Sequence, residues 1–254
     1  MSKWDPKQYG KFEKERTLPS YDLVNAITCN NVKNIIDIGC GIGNSTAVLK
    51  GKFPNARVTG ADNSEEMLSH AREKYSDLNF IRLDAANIDN VRERYDIVFS
   101  NACIQWVPDH KKLLRNMMGL LNCGGVLAVQ IPLQYKHPMH RIIQKTAESE
   151  KWADKLSNVR PFYILAENEY FDILSQLSDN FRIWETVYFH AMPSHQAIVE
   201  WYKGTGMRPF LEQLSDSDKQ LFEEDILNEV KAEYPLQKNG EIIFKFPRLF
   251  FTAG

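Results

Sequence analysis

The sequence is short of the features that mark membrane, metal-binding and disulfide-rich proteins. No apolar run reaches about 18 residues, so we expect no membrane span. Residues 1–6 lack the apolar stretch of a secretory signal peptide. The four cysteines (Cys29, Cys40, Cys103 and Cys123) lie far apart and form no Cys-x-x-Cys pair. We therefore expect no disulfide framework, no metal site and a cytoplasmic location.

The chain also lacks an excess of charge of either sign. Its 31 Lys and Arg residues against 33 Asp and Glu residues give a formal charge of −2. This balance argues against a nucleic-acid-binding protein with a broad basic surface, but it allows a local basic pocket for a small anion. With 43% hydrophobic and 25% charged residues, the composition is that of a globular protein. The length of 254 residues suits one α/β domain with, at most, a small cap.

The first half of the chain alternates short apolar runs with helical patterns. The predicted strands cover residues 34–38, 57–62, 79–83, 95–100 and 126–131, and the predicted helices cover 45–53, 64–75 and 109–121. The last of these helices is expected to stop at Gly124 and Gly125. Such alternation predicts an open, parallel, doubly wound sheet with helices on both faces. Ligands of such sheets bind beyond the carboxyl ends of the strands, so we look for functional residues there.

The second half of the chain has a different pattern. It predicts a mostly helical stretch over 138–178 with a break near 160–161, a strand over 181–191, helices over 194–203 and 215–234, and a strand over 241–252. Ser194 and Ser215 are the expected N-caps of the two helices, as Ser64 is for the earlier helix over 64–75. Because proline is poorly tolerated in a central strand, Pro247 predicts a bulge or a break. The late helices are expected to form a lid over the strand ends.

A glycine loop directly follows the first predicted strand. Asp37 precedes Gly39, Gly41 and Gly43, and glycine lets the backbone adopt a positive φ and approach a ligand closely. A dinucleotide fingerprint would require a glycine where Asn44 stands, and this argues against an NAD-dependent oxidoreductase. The pattern resembles the loop of S-adenosylmethionine-dependent methyltransferases, in which Asp37 would accept from the amino group of the methionine moiety. Gly39, Gly41, Gly43 and Asn44 would then line the cofactor as well. A strand–helix turn without a ligand is the alternative.

Polar side chains follow the next three predicted strands as well. Asp62 is placed to accept from the ribose hydroxyls, and Asn63 could line the adenine edge. Asp84, with Ala85 beside it, could bind the adenine amino group, and Asn101 would lie next to the reacting centre. Any one of these residues could instead be a solvated loop residue or a helix cap. Their recurrence at consecutive strand ends favours a cofactor site.

Several blocks of the sequence are similar to those of one enzyme family. They cover residues 4–9, 15–19, 37–46, 100–110, 124–132, 192–198, 205–210 and 234–250. Through them the chain resembles the trans-aconitate 2-methyltransferases, which are class I S-adenosylmethionine-dependent carboxyl methyltransferases. The resemblance implies a Rossmann-like fold, a seven-stranded sheet with the last strand antiparallel, and helical cap elements. It implies one domain over 1–254, in which 1–30 cover the cofactor, 31–132 bind it, and 133–254 form the substrate cap and the final strands.

The resemblance also implies a reaction. A methyl group would pass from S-adenosylmethionine to a carboxylate oxygen of a small polycarboxylic acid, giving a monomethyl ester and S-adenosylhomocysteine. A carboxylate with a pKa near 4 is already ionised at neutral pH, so we expect no catalytic general base and no metal. Two alternatives stay open: another acceptor, such as a carrier-bound malonyl thioester, and an S-adenosylmethionine-binding protein without transferase activity.

The anionic acceptor needs cations and hydrogen-bond donors around it. Arg208 is the first candidate, because its guanidinium can hold a carboxylate with two hydrogen bonds. His195 could donate to a second carboxylate, and His190 and Tyr188 alternate on one face of the 181–191 strand. A surface arginine, a first-turn packing residue and sheet-face packing are the respective alternatives.

Further candidates flank the predicted cofactor site. Gln105 and Trp106 follow the fourth strand and are expected near the methyl group. Arg16 lies in the segment that resembles a cofactor-covering helix and could pair with a carboxylate. Trp4 and Tyr9 could close over the cofactor, although burial against the sheet would also explain them.

Overall fold

The structure is a computed structural model that describes residues 12–254, without the side chains of Glu13 and Lys14. Within this range the chain forms a seven-stranded sheet in the order β3-β2-β1-β4-β5-β7-β6. The strands are β1 (Asn34–Ile38), β2 (Arg57–Asp62), β3 (Asn79–Arg82), β4 (Tyr95–Asn101), β5 (Leu121–Pro132), β6 (Phe181–Met192) and β7 (Ile242–Ala253). The bounds predicted for the first two strands are those observed.

The pairing of the strands confirms the predicted class. β1 pairs in parallel with β2 on one side and β4 on the other, β2 with β3, and β4 with β5. β7, the last strand in the chain, pairs antiparallel with β5. The strand order reverses between β1 and β4, which is the place where open α/β sheets bind ligands.

Helices connect the strands. They are α1 (Glu13–Asn25), α2 (Asn44–Lys52), α3 (Glu65–Lys74), α4 (His110–Gly119), α5 (Pro138–Ala147), α6 (Glu167–Leu177), α7 (His195–Lys203), α8 (Arg208–Leu211) and α9 (Asp216–Glu233). The predicted N-caps are confirmed: Ser64, Ser194 and Ser215 each accept a hydrogen bond from a backbone N–H of the first turn, at 3.2–3.3 Å. These caps fix where α3, α7 and α9 begin.

Two predicted helical stretches were too long. α4 ends at Gly119, and β5 already begins at Leu121, because Leu121 pairs with Tyr95 ahead of a bulge in the β4–β5 ladder. Gly124, with a φ of 74°, lies in that irregular part of β5 and does not end the helix. In the stretch 138–178, only α5 and α6 are α-helical, and residues 149–158 form turns.

The predicted bulge or break at Pro247 was wrong. β7 runs through Pro247 without interruption. Its pairing with β5 begins at the next residue, Arg248, so Pro247 lies at the end of that ladder. The carbonyl of Pro247 still accepts from the backbone N–H of Leu133 at 3.0 Å. A proline at such a position removes no donor from the β5–β7 ladder.

The chain divides into two compact units. The sheet unit comprises residues 14–132, 162–186 and 248–254, and the helical unit includes 133–161 and 187–247. The central strands of the sheet unit are fully buried at Ile35, Ile36 and Phe99. The helical unit has its own aromatic core, which includes Trp152, Trp201, Tyr202, Phe222 and Phe244. None of the helices among residues 12–254 is both long and apolar enough to span a membrane.

Candidate functional site

The glycine loop between β1 and α2 has the backbone geometry that its sequence predicts. Gly39, Gly41 and Gly43 have φ angles of 78°, 55° and 86°. Residues other than glycine rarely adopt this region. A Cβ on Gly39 would lie 2.2 Å from both Cβ and Sγ of Cys103, which follows β4. Position 39 therefore has no space for a side chain, and the loop presents bare backbone there.

Asp37, the acid that precedes the loop, is fully buried with one oxygen free. Its Oδ2 accepts from the hydroxyls of Ser45 at 2.6 Å and Thr46 at 2.7 Å, both in the first turn of α2. Its Oδ1 has no hydrogen-bond partner within residues 12–254. Burial raises the pKa of Asp37 to about 6. The hydrogen bonds from the two hydroxyls act to lower this pKa, and the charge of Asp62 adds to the rise. Such an oxygen suits a cationic donor such as an ammonium group.

Asp62 ends β2 and is held by the backbone on both sides. Its Oδ2 accepts from the N–H of Gly41 and its Oδ1 from the N–H of Ser64, each at 2.9 Å. Burial raises the pKa of Asp62, and these backbone hydrogen bonds oppose the rise. A carboxylate has about four lone-pair sites, and the backbone does not fill them all, so the oriented group can still accept from a ribose.

The residues expected around the adenine lie at the next strand ends. Asp84 is the N-cap of the short 3-10 helix Ala85–Asn90, where it accepts from the N–H of Ala86 and the amide of Asn87, each at 3.0 Å. Its side chain is exposed, as is that of Asn63, whereas Ala85 is buried. The helix-cap alternative therefore applies to Asp84, and an adenine role for Asp84 and Asn63 stays a prediction.

Asn44 directs its side chain away from the loop. Its Oδ1 accepts from Lys74 Nζ at 3.0 Å and from the hydroxyl of Tyr75 at 3.1 Å, both at the end of α3. The side chain therefore joins α2 to α3. A contact of Asn44 with a cofactor stays a prediction, and it would have to come from the backbone or from the amide nitrogen.

Two neutral amide side chains, Asn101 and Gln105, lie at or just after the end of β4. Asn101 Oδ1 is buried and lacks a hydrogen-bond partner in the described part of the chain. The next residue, Ala102, has a φ of 53°, which is a strained backbone conformation for a residue other than glycine. Gln105 Nε2 donates to the carbonyl of Ala102 at 2.7 Å. Beside it, the ring of Trp106 packs on Phe162 with centroids 4.5 Å apart.

Two buried polar residues at this edge were not assigned a role from the sequence. Gln130, near the end of β5, and Arg248, on β7, are 0% and 7% exposed. The Arg248 guanidinium donates from Nη1 to Gln130 Oε1 at 3.4 Å. Both residues lie in blocks that carry the family resemblance. The signal that could have identified them is a charged or amide side chain inside an otherwise apolar strand.

Two predicted acceptor residues of the helical unit have partners within that unit. Arg208 Nε donates to Glu212 Oε1 at 2.6 Å, one turn along the chain. Burial lowers the pKa of Arg208, and the bond to Glu212 opposes this. His195 Nε2 is 2.7 Å from the carbonyl oxygen of Tyr234 and donates to it in the tautomer that carries this proton. A role of Arg208 and His195 toward an acceptor stays a prediction.

The other predicted residues lie in aromatic or outlying positions. His190 is buried beside Trp201, with ring centroids 5.0 Å apart, and Tyr188 stacks on it at 6.2 Å. Arg16 is buried on α1 in the sheet unit. The predictions for Trp4 and Tyr9 fall outside the described residues.

Comparisons with known proteins give the family. Residues 35–125 match a family described as a methyltransferase domain. The trans-aconitate 2-methyltransferase of Escherichia coli strain Crooks is 41% identical over 253 residues, covering 100% of this chain and 98% of the relative. The chain belongs to the trans-aconitate 2-methyltransferase family. That of Escherichia coli O157:H7 is 40% identical with the same coverage.

Solved structures share the fold of this enzyme. The YcgJ protein of Bacillus subtilis has a TM-score of 0.57 at 14% identity, covering 92% of this chain and 97% of that one. Phosphoethanolamine N-methyltransferase 2 of Haemonchus contortus, solved with S-adenosyl-L-methionine, has a TM-score of 0.56 at 18% identity, covering 92% and 52%. At these identities the likeness shows the Rossmann-like methyltransferase fold alone.

The enzyme is an S-adenosylmethionine-dependent methyltransferase, and its residues fit that methyl donor. The glycine loop, which presents bare backbone at Gly39, Gly41 and Gly43, would let the donor approach closely. The Asp37 oxygen that has no partner among the described residues matches the ammonium group of the donor. Asp62 offers the carboxylate that a ribose requires. Among residues 12–254, no group of three or more His, Cys, Asp and Glu side chains could hold a metal ion.

Proposed function

We propose that the enzyme methylates a carboxylate of trans-aconitate, giving the monomethyl ester and S-adenosylhomocysteine. The observation that carries the proposal is the 41% identity to a trans-aconitate 2-methyltransferase over the whole chain. S-adenosylmethionine supplies a methyl group on a positively charged sulfur. We also infer a cytoplasmic reaction, where the four free cysteines stay reduced.

The sheet unit would hold the methyl donor through its two oriented carboxylates. Asp37 binds the ammonium group through Oδ1, while Ser45 and Thr46 fix the other oxygen. Asp62 accepts from the ribose hydroxyls, and its hydrogen bond from Gly41 ties its position to the glycine loop. The order of these two acids along the strand ends gives the donor one orientation across β1 and β2.

The acceptor needs alignment and loss of water more than proton transfer. Its carboxylate is ionised at neutral pH, so no residue has to remove a proton. The Cys103 thiol, just after β4, is not suited to act as a base, because burial raises its pKa to about 12, with contributions from Asp62 and Asp37. Asn101 and Gln105 are neutral amides at the end of β4. The N–H groups of neutral amides can donate to an ionised oxygen, orient it and thereby replace part of its hydration shell.

An acceptor screen tests the proposal. The purified enzyme is incubated with labelled S-adenosylmethionine and a panel of free di- and tricarboxylic acids, together with carrier-bound malonyl thioesters. We expect label transfer to trans-aconitate, with mass spectrometry showing an acid that is one methyl group heavier. Transfer only to the thioesters would contradict the proposal in favour of the other methyltransferase class. Binding of S-adenosylmethionine without any transfer would favour a protein without transferase activity.

A further inference from the structure

One face of the sheet carries a row of polar residues along its carboxyl edge. Asn101 of β4 pairs with Gln130 of β5, and Arg248 of β7 pairs with Pro132, two residues after Gln130. Paired residues project to the same face, and the face repeats every two residues. Asn101, Gln130 and Arg248 therefore share one face. The register of β1 with β2 and β4 puts Asp62 on this face as well.

Gln130 and Arg248 form a buried donor pair at the β7 end of this row. The Gln130 carbonyl oxygen accepts from the Arg248 guanidinium at 3.4 Å. The Gln130 amide nitrogen, in a side chain with 0% exposure, has no hydrogen-bond acceptor among the residues that the structure describes. A buried N–H donor without an acceptor costs free energy, so this nitrogen calls for a partner. A partner with two anionic oxygens would match the amide and the guanidinium together.

The position of this pair favours the acceptor, and not the methyl donor, as the molecule that binds to it. Asp37, which fits the donor's ammonium group, lies on β1, and β7 is three strands away, about 14 Å at 4.8 Å per strand. The donor's own carboxylate is attached to the carbon that carries the ammonium group, so it lies near β1. From Asn101 on β4 the distance to β7 is two strand spacings, about 10 Å. The long side chain of Arg248 and the carbon skeleton of a polycarboxylic acid can cover that distance together.

We propose that Arg248 and Gln130 bind a carboxylate of the acceptor that does not react, and so select polycarboxylic acids. This inference rests on the methyl transfer proposed above. Each carboxylate oxygen receives one donor: the guanidinium from Arg248 and the amide N–H from Gln130. The pair is a substrate-binding element for the acceptor and takes no part in proton transfer.

The experiment compares Gln130→Glu and Arg248→Lys with the wild-type enzyme. Gln130→Glu keeps the shape of the side chain but puts a carboxylate beside Arg248, which would then form an internal ion pair in place of the acceptor. We expect its KM for trans-aconitate to rise at least about 30-fold, as for loss of one partner of a buried charged pair. Arg248→Lys keeps the charge but loses the two-pronged geometry, so we expect a smaller rise in KM. Calorimetric titration of trans-aconitate into the S-adenosylhomocysteine complex should show the same losses without turnover.

The controls separate binding from folding and from the donor site. Arg115→Gln changes the charge of an exposed arginine on α4 and should leave KM unchanged. The dissociation constant for S-adenosylhomocysteine should stay within twofold in every variant. A KM for trans-aconitate within twofold of wild type in Gln130→Glu overturns the inference. A loss of S-adenosylhomocysteine affinity, or a kcat loss without a KM change, overturns it too. Failure of the proposed function itself would show differently, as absence of the ester with the wild-type enzyme.

Discussion

Replacing Asp37 by asparagine should stabilise the donor-free enzyme and, at the same time, weaken its binding of the methyl donor. The rise of the Asp37 pKa from 3.8 to about 6 means that the folded protein penalises the ionised carboxyl. At about 1.4 kcal/mol per pH unit, the penalty at neutral pH is about 3 kcal/mol. The asparagine side chain of the variant is uncharged and escapes this penalty. Its buried amide nitrogen would take the place of the free oxygen and costs about 1–3 kcal/mol when unpaired. The net gain is therefore small, about 1 kcal/mol, and a pH series gives the sharper test.

The pH dependence has a definite sign. Because the folded-state pKa is raised, the contribution of Asp37 to stability is present below pH 4 and is lost as the pH rises through about 6. The unfolding free energy of Asp37→Asn relative to wild type should therefore increase by about 3 kcal/mol between pH 4 and pH 7. Urea unfolding of the ligand-free proteins at several pH values measures this difference. Over the same range, wild-type affinity for S-adenosylmethionine should strengthen as the pH rises through about 6, because the ammonium group binds the ionised carboxyl.

A second acid serves as the matched control for Asp37. Asp96 accepts hydrogen bonds from the backbone N–H groups of Lys33 and Asn34 and from the amide of Asn122. Although burial acts to raise its pKa, these hydrogen bonds outweigh it and lower the pKa. Asp96→Asn should therefore show the opposite trend, losing stability relative to wild type as the pH rises. Asp37→Asn should also weaken S-adenosylmethionine binding at least about 30-fold. A stability difference that does not change with pH, or an unchanged affinity, would refute the reasoning.

Two further changes test the loop and the predicted acceptor arginine. Gly39→Ala should cost at least about 2–3 kcal/mol in unfolding free energy, because its Cβ would overlap Cys103 at a φ of 78°. Gly51→Ala, in open space on α2, should instead stabilise by about 0.5–1 kcal/mol, and thermal melts compare the two. Arg208→Ala should lower kcat/KM for trans-aconitate by the equivalent of about 2–4 kcal/mol with unchanged S-adenosylmethionine affinity. A kcat/KM within twofold of wild type would show that Arg208 does not bind the acceptor, and its ion pair with Glu212 would then be a structural contact.

Local sequence signals were sufficient for much of the sheet unit. The apolar runs predicted both bounds of β1 and of β2 correctly, since a buried strand between turns has few other interpretations. Ser64, Ser194 and Ser215 marked helix starts because capping depends on residues within one turn. Where tertiary pairing decides, the prediction failed. Gly124 looks like a helix stop in the sequence, but it lies within β5, because pairing with β4 begins that strand at Leu121.

The candidate site residues also fall into two groups. Some can be identified from neighbouring residues in the sequence, and others only from contacts between distant parts of the chain. Asp37 and Asp62 could be proposed as donor-binding residues because each lies at the end of a strand beside the glycine loop, and the structure holds both through neighbouring hydroxyl or backbone donors. Arg208 was chosen because it is an arginine in a family-specific block, but its carboxylate neighbour Glu212 could be identified as a partner only from the helix geometry. The Gln130–Arg248 contact joins residues 118 positions apart in the chain. Each looks like an isolated polar residue in an apolar strand, and only the β5–β7 register shows that they form one buried group of donors. For this fold, the residues proposed for the donor can therefore be identified from local sequence, whereas the two residues proposed for the acceptor come together only through strand pairing.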